Sequence, residues 1–116
     1  MVDRPKIFDP HLIYNYCMHI DKESINAEID YDEAKDQKDE VIDYVINEKI
    51  INKSVSVALA KLQATSDDRC KKAKQELSKR KKYHLYCKIL AKNGHSYCEN
   101  LKQKSINYIA TEKLAK

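Results

Sequence analysis

The stretch that decides the fold is residues 67–112, which read DDRCKKAKQELSKRKKYHLYCKILAKNGHSYCENLKQKSINYIATE. It contains no proline and one glycine, so Asn93-Gly94 is the only pair of residues in it that is typical of a tight turn between strands. Four small residues, Cys87, Ala91, Gly94 and Cys98, recur at spacings of four, three and four. This spacing places them on one face of a helix. The pattern predicts one long helix over 67–112 and leaves open a break at Asn93-Gly94.

The small residues indicate where that helix packs. Small side chains in a row let a second backbone approach closely, which explains a glycine inside a helix despite its cost of about 1 kcal/mol relative to alanine. Larger apolar residues extend the row in both directions, and Tyr108 is expected to continue it downstream. The predicted helix-packing seam consists of Ala73, Leu77, Cys87, Ala91, Gly94, Cys98 and Leu101.

The first half of the chain also favours helix. Both prolines lie before residue 11, and Asp9-Pro10 is a typical helix start, an N-cap followed by proline at the first helical position. We expect a short N-terminal helix over 11–20 and then an acidic helix to about residue 53. The segment 21–24 is either a polar joint between them or the next turn of the same helix. The segment 35–40, KDQKDE, has no apolar residue, which predicts an exposed stretch or a bend there.

Two further segments bear on the fold. Within 41–51 the apolar residues fit a helical period better than a period of two, although their β-branched side chains favour strand. Residues 54–66 alternate at first and leave strand, irregular link and helix all open. Thr65-Ser66-Asp67-Asp68 is the clearest helix start, because it supplies an N-cap oxygen and acidic residues for the positive end of the helix dipole.

The sequence therefore predicts an all-α fold, an elongated antiparallel helical hairpin with a short N-terminal helix. We expect a single helical domain over 1–116. One copy makes barely a two-layer core, so we also expect a homo-oligomer. The predicted parts are an N-terminal arm at 1–9, an acidic helical segment at 10–53, a connection at 54–66 and the basic long helix at 67–112. Residues 1–9 show no periodicity, which leaves open an arm and a short docking segment. The arm and the last few residues are the parts expected to fray.

Charge is divided between the two halves of the chain. Residues 1–58 carry 13 acidic and 7 basic residues, a net charge of −6, whereas residues 59–116 carry 5 and 15, a net of +10. Opposite signs favour antiparallel pairing, and the positive surplus remains for a polyanion. Lysines interleaved with tyrosines are typical of single-stranded nucleic-acid binding. The predicted binding residues are Lys71, Lys72, Lys74, Lys79, Arg80, Lys81, Lys82, Tyr83 and Tyr86.

Other functional classes find less support in the sequence. One glycine cannot form a phosphate-binding loop, and no nucleophile lies beside a base, so we expect no enzyme and no cofactor. His84-x-x-Cys87 and His95-x-x-Cys98 together offer four zinc ligands, but one site needs the chain to fold back at Asn93-Gly94, and we expect no metal. The absence of a secretory signal or membrane-spanning run predicts an intracellular protein of the host cytoplasm, with reduced cysteines. The alternative to nucleic-acid binding is a helical adaptor, assembly or inhibitor protein that docks on a larger protein machine.

Residues 67–106 resemble the second half of phage recombination-mediator proteins of the UvsY-like kind. The resemblance rests on Asp67-Asp68, AKQEL (73–77), YHLYCKIL (83–90) and YCENLKQKSI (97–106). It implies a small, non-enzymatic helical protein that self-associates into a ring and binds single-stranded DNA. It also implies that such a protein helps to load a recombinase by displacing a single-strand-binding protein. The sequence departs from the family in its hydrophobic link at 55–62 and in its cysteine content.

Overall fold

In the computed structural model, residues 2–115 are described, Ala115 by its backbone alone. This part of the chain forms three helices, α1 (Pro10–Lys53), α2 (Val57–Ala64) and α3 (Asp68–Ala115), and it contains no strand. The all-α prediction is therefore confirmed, and α1 and α3 form a helical hairpin. Residues 41–51, whose β-branched side chains favoured strand, lie within α1.

The chain divides into two compact units. The terminal unit comprises Met1–Asn26 and Leu85–Lys116, and the turn unit comprises Ala27–His84. In each unit a part of α1 packs antiparallel against a part of α3, because later residues of α1 contact earlier residues of α3. In the terminal unit Asp21 contacts His95, whereas the earlier Cys17 contacts the later Cys98. The prediction of a single domain over 1–116 stays a prediction.

Both long helices begin where capping residues predict. The carboxylate of Asp9 accepts hydrogen bonds from the backbone N–H groups of His11 at 2.9 Å and Leu12 at 3.4 Å, and Pro10 is the first residue of α1. The carboxylate of Asp67 accepts one from the N–H of Arg69 at 2.9 Å, just before α3 begins. These side-chain oxygens satisfy N–H groups that have no partner inside the helix.

Of the two alternatives for 21–24, the structure has the continuous helix: α1 is one helix over Pro10–Lys53, so the prediction of a separate short N-terminal helix is wrong. The buried side of α1 continues through 21–24, where Ser24 is half-buried. The segment 35–40 is the exposed stretch that the sequence allowed, since every residue in it except Lys38 is exposed, and α1 continues through it. Ala34 is buried, and Lys38 lays its half-buried stem along the same side, as long basic side chains commonly do.

The core of the turn unit forms where α1, α2 and α3 meet. Val45, Ala64 and Cys70 are almost fully buried, and the half-buried side chains of Val41, Ile42 and Ile46 pack around them. The connection at 54–66 thus contains a helix, α2. Ser56 caps it by accepting a hydrogen bond from the N–H of Leu59 at 3.2 Å, and Ala60 and Ala64 form its buried side.

The terminal unit packs small residues of α3 against larger side chains of α1. Cys87, Ala91, Gly94 and Cys98 are buried on α3, and Tyr16 is buried on α1. A Cβ atom at Gly94 would lie 2.6 Å from Ile20 Cδ1 and 3.0 Å from Tyr16 Oη. Gly94 therefore permits close packing, and α3 runs through Asn93-Gly94 without a break.

The N-terminal arm is docked on the terminal unit, which agrees with a docking segment and not with a frayed arm. Pro5 is buried, and its carbonyl accepts a hydrogen bond of 2.6 Å from the hydroxyl of Tyr97. The guanidinium of Arg4 lies 4.2 Å from the centre of the same ring, within the range of a cation–π interaction. Residues 2–9 themselves are not helical.

The end of α1 gives a first prediction. Ser54 follows Lys53 with φ of 52°, a left-handed conformation that glycine adopts without steric cost. We expect Ser54→Gly to raise the free energy of unfolding by about 1 kcal/mol, measured by urea denaturation. Ser54→Ala is the control and should give no gain. Equal stability of the two variants would show that the left-handed conformation carries no cost here.

Candidate nucleic-acid interface

Arg69 joins the first turn of α3 to the end of α1. Its guanidinium donates to Glu48 at 2.7 Å and to both carboxylate oxygens of Asp67 at 3.1 Å. The ammonium of Lys49 lies 3.6 Å from Asp67 as well. The hydrogen bonds from Arg69 hold the pKa of Asp67 well below its usual range and lower the pKa of Glu48. The same contacts raise the pKa of Arg69.

This cluster gives a prediction for acid pH. Because the folded-state pKa values of Asp67 and Glu48 are depressed, the unfolded chain takes up protons first as pH falls. The stabilisation is complete above the unfolded pKa values and is lost as pH falls toward the folded ones. We expect Arg69→Gln to make unfolding free energy less dependent on pH between about pH 5 and pH 3.

The matched control for that experiment is Lys71→Gln. Lys71 is exposed and forms no ion pair with a carboxylate among residues 2–115, so its variant should keep the wild-type pH dependence. Chemical denaturation at a series of pH values makes the comparison. Identical slopes for Arg69→Gln and wild type would contradict the ionic role of the cluster.

The predicted binding lysines are all on the surface of α3. Each of the six is exposed, and within the described part of the chain none lies within 4.0 Å of a carboxylate oxygen. Lysines that are exposed and have no carboxylate partner keep their charge available to an anion. These residues are Lys71, Lys72, Lys74, Lys79, Lys81 and Lys82.

Arg80 differs from its lysine neighbours. Its guanidinium donates to Glu76 at 2.8 Å and lies 3.9 Å from Asp30 of α1, and its side chain is half-buried. The hydrogen bond from Arg80 also lowers the pKa of Glu76. Arg80 was predicted to bind nucleic acid together with the lysines, but its charge is engaged inside the turn unit.

The lysines do not all point the same way. At about 100° of rotation per residue, four of them fall within roughly 100° on the side of α3 away from its buried residues. We call Lys71, Lys72, Lys79 and Lys82 the basic face. Lys74 and Lys81 lie on the other flank of the helix. One extended polyanion can therefore meet four cations along two to three turns of α3.

A groove of about 1140 Å³ lies beside the basic face in the turn unit. Val41 and Ala73 form part of its apolar lining, and Lys72 and Lys79 line it from α3. Tyr44 lines it from α1, and its side chain is 64% exposed. The lining also includes Glu40, Arg69, Gln75 and Glu76.

Sequence reasoning missed Tyr44. Tyr44 lies in the acidic helix α1, whereas the tyrosines predicted to bind are those that lie among the lysines of α3. The signal that could have found it is its position directly before the buried Val45, which places its ring at the edge of the contact between α1 and α3. The guanidinium of Arg69 lies 5.9 Å from the centre of that ring.

The remaining predicted residues are two tyrosines, which are exposed, and the seam residues, which are buried or half-buried. Tyr83 in the turn unit is 51% exposed, and Tyr86 in the terminal unit is 58% exposed. In the predicted seam, Cys87, Ala91, Gly94 and Cys98 are buried, and Ala73, Leu77 and Leu101 are half-buried. Tyr108, which was expected to extend this seam, is 67% exposed and does not belong to it.

The opposite charges of the two helices pair at few points in the turn unit. Among the residues that the structure describes, Glu48–Arg69, Asp30–Arg80 and Lys49–Asp67 are the ion pairs that join α1 to α3 or its N-cap. α1 also carries an exposed acidic ridge of four carboxylates at helical spacing, none of them in an ion pair within residues 2–115. The acidic ridge consists of Glu33, Asp36, Glu40 and Asp43.

The histidines and cysteines do not converge. Because α3 is continuous, the pairs His84/Cys87 and His95/Cys98 are about 16 Å apart along it and cannot share one ion. Over residues 2–115 no three His, Cys, Asp or Glu side chains are grouped so that they could hold a metal. Instead His84 stacks on Tyr31 with ring centres 5.6 Å apart, and His95 lies 2.8 Å from Asp21.

No helix in the described part of the chain combines the length and the apolar character needed to cross a membrane. Comparison with protein-family models, curated proteins and solved structures gives no match to this chain. The resemblance to UvsY-like proteins therefore stays a prediction, and function has to be proposed from the surface of the molecule.

Proposed function

We propose that this chain is a non-enzymatic accessory protein that binds single-stranded nucleic acid through α3. The observation that carries the proposal is the set of exposed lysines without carboxylate partners at 71–82. Each lysine that neutralises a phosphate releases condensed counterions, and this release drives binding without regard to sequence. Four cations on one face of a helix suit an extended strand, which can follow the helix.

Exposed aromatic rings favour a single strand over a duplex. Tyr83 follows Lys82 directly, and half of its side chain is exposed to solvent. Rings in such positions can stack on unpaired bases, whose faces are accessible only in single strands. The combination of cations and rings is sequence-tolerant, because every base has a face on which an aromatic ring can stack.

The biological setting is part of the same proposal. The resemblance of residues 67–106 suggests a recombination mediator that loads a recombinase on DNA and has that recombinase or a single-strand-binding protein as partner. The four cysteines are free thiols, which suits the reducing cytoplasm of a host cell. Single-stranded DNA rather than RNA is the ligand that this setting implies.

Self-association has support from charge. The turn unit presents the acidic ridge on α1 and the basic face on α3, and neither is neutralised by ion pairs inside the described chain. Two carboxylates four residues apart on a helix repel each other, so the ridge costs helix stability unless a cation approaches it. The basic face of a second copy is such a cationic partner, and we propose a homo-oligomer on this ground.

The mass of the protein in solution, with and without a single-stranded oligonucleotide, tests the proposal. Light scattering at low salt should give a mass above the 13.6 kDa of one chain, and the oligonucleotide should add its own mass. An oligonucleotide that adds no mass at low salt would rule out nucleic-acid binding. A mass of one chain without oligonucleotide would rule out self-association alone.

A second candidate is a helical adaptor that docks on a larger protein machine. It is favoured by exposed apolar side chains on α3 in the terminal unit, where Leu85, Ile89 and Leu90 are 46%, 58% and 44% exposed. Exposed apolar patches commonly mark protein-binding surfaces. Copurification of one stoichiometric partner after nuclease treatment, lost in an Ile89→Glu variant, would favour this function over the first.

A further inference from the structure

We propose that the groove in the turn unit holds an unpaired nucleobase against the ring of Tyr44, with the phosphates of the strand on Lys72 and Lys79. This inference rests on the proposed function and names the position in α1 that distinguishes single strands from duplexes. The groove has an apolar floor that includes Val41 and Ala73, a suitable contact for the edge of a base.

The ring of Tyr44 is accessible and its surroundings are fixed. Tyr44 is 64% exposed, although it lies directly before the fully buried Val45. The guanidinium of Arg69 lies 5.9 Å from the ring centre and is itself held by Glu48 at 2.7 Å. A ring with a rigid backbone and a fixed neighbour loses little conformational freedom when a base stacks on it.

The charges of the groove orient a bound strand. Lys72 and Lys79 are seven residues apart on α3, about 10.5 Å along the helix axis, and both ammonium groups lack a carboxylate partner within residues 2–115. Glu76 between them is neutralised by Arg80 at 2.8 Å. Glu40 lies on the α1 side and repels phosphate, so the backbone should follow α3 while a base points toward Tyr44.

This arrangement predicts that the two sides of the groove bind different parts of the nucleic acid, the phosphates on α3 and the bases on α1. The lysines of α3 attract any polyanion, single-stranded or double-stranded, because they sense only phosphate. Tyr44 adds affinity only for bases that are not stacked inside a duplex. Selectivity for single strands should therefore depend on Tyr44 of α1 as well as on Tyr83 of α3, although α1 is the acidic helix of the molecule.

The test compares Tyr44→Ala with wild type on two oligonucleotides of equal length, oligothymidine and an abasic strand with the same phosphates. We expect Tyr44→Ala to lose about five-fold or more in affinity for oligothymidine and nothing for the abasic strand, measured by fluorescence anisotropy. Tyr44→Phe should keep wild-type affinity for both, because stacking needs the ring and not the hydroxyl. Tyr14→Ala is the matched control, since Tyr14 is 62% exposed on the same helix.

The outcomes separate this inference from the proposed function. If Tyr44→Ala behaves like Tyr14→Ala while charge reversal of the basic face still weakens binding, the stacking site is wrong and the proposed function stands. Equal losses for oligothymidine and the abasic strand would also overturn stacking. If charge reversal has no effect, the proposed function itself fails. Circular dichroism establishes that each variant keeps its helix content.

Discussion

Replacing Lys71, Lys72, Lys79 and Lys82 by glutamate is expected to weaken binding of a single-stranded oligonucleotide by roughly 500-fold or more at 0.1 M salt. Each lysine–phosphate contact on a single strand contributes about 0.7 of a logarithmic unit to the association constant at that salt concentration. Four lost contacts account for the estimate, and the repulsion of phosphate by the new carboxylates adds to it. Fluorescence anisotropy of a labelled oligothymidine measures the change.

The matched control reverses four lysines elsewhere on the same helix. Lys92, Lys102, Lys104 and Lys113 are all exposed on α3 and give the same change in net charge. Their variant should bind only a few-fold more weakly, because charges beyond about 10 Å are largely screened at this salt concentration. Equal losses in the two variants would show that binding depends on net charge and not on the basic face.

Gly94→Leu is expected to lower the free energy of unfolding by about 2 kcal/mol, although leucine is the better helix former. Even a Cβ atom at this position would lie 2.6 Å from Ile20 Cδ1 and 3.0 Å from Tyr16 Oη. Ile20 can move the end of its side chain, but the buried ring of Tyr16 has little room to yield. The further carbons of leucine must therefore push α3 away from α1 in the terminal unit.

Asn93→Leu is the control for that substitution. Asn93 is exposed and precedes Gly94 in the same turn of α3, so leucine there gains helix propensity without meeting α1. Urea denaturation followed by circular dichroism compares the two variants. If Gly94→Leu proved as stable as Asn93→Leu, the close contact of the two helices at Gly94 would be contradicted.

Much of the fold could be predicted because the decisive signals are local. Asp9-Pro10 and Asp67-Asp68 mark the starts of α1 and α3 through capping oxygens that depend on a few neighbouring residues. The spacing of Cys87, Ala91, Gly94 and Cys98 placed these residues on one side of α3, and all four are buried. Residue periodicity and capping therefore determined the class and the order of the long helices.

What could not be predicted depends on contacts between distant segments. The arm at 2–9 looked patternless, and its docking relies on Tyr97, more than ninety residues away. For the segment 35–40 an exposed stretch and a bend both stayed open, because the sequence does not reveal that a lysine stem at Lys38 can occupy the buried side. Helix α2 had too short an apolar pattern to be distinguished from strand.

The candidate site divides in the same way. The lysines of the basic face were found because they cluster within residues 71–82 of the sequence, and their exposure follows from the position of the seam. That Arg80 is engaged by Asp30, and that Tyr44 faces Lys72 and Lys79 across a groove, depends on the register between α1 and α3. Packing of Val45 in α1 near Cys70 in α3 sets this register, and the sequence of neither helix alone indicates it.

The central claim is that the lysines at 71–82 remain available to phosphates in the folded protein. The salt dependence of affinity for a single-stranded oligonucleotide tests it most directly, with measurements at several concentrations between about 0.05 and 0.3 M. Four contacts predict that the logarithm of the association constant falls linearly with the logarithm of salt, with a slope of about −3. An affinity that does not change with salt, or no binding at the lowest salt concentration, would contradict the claim.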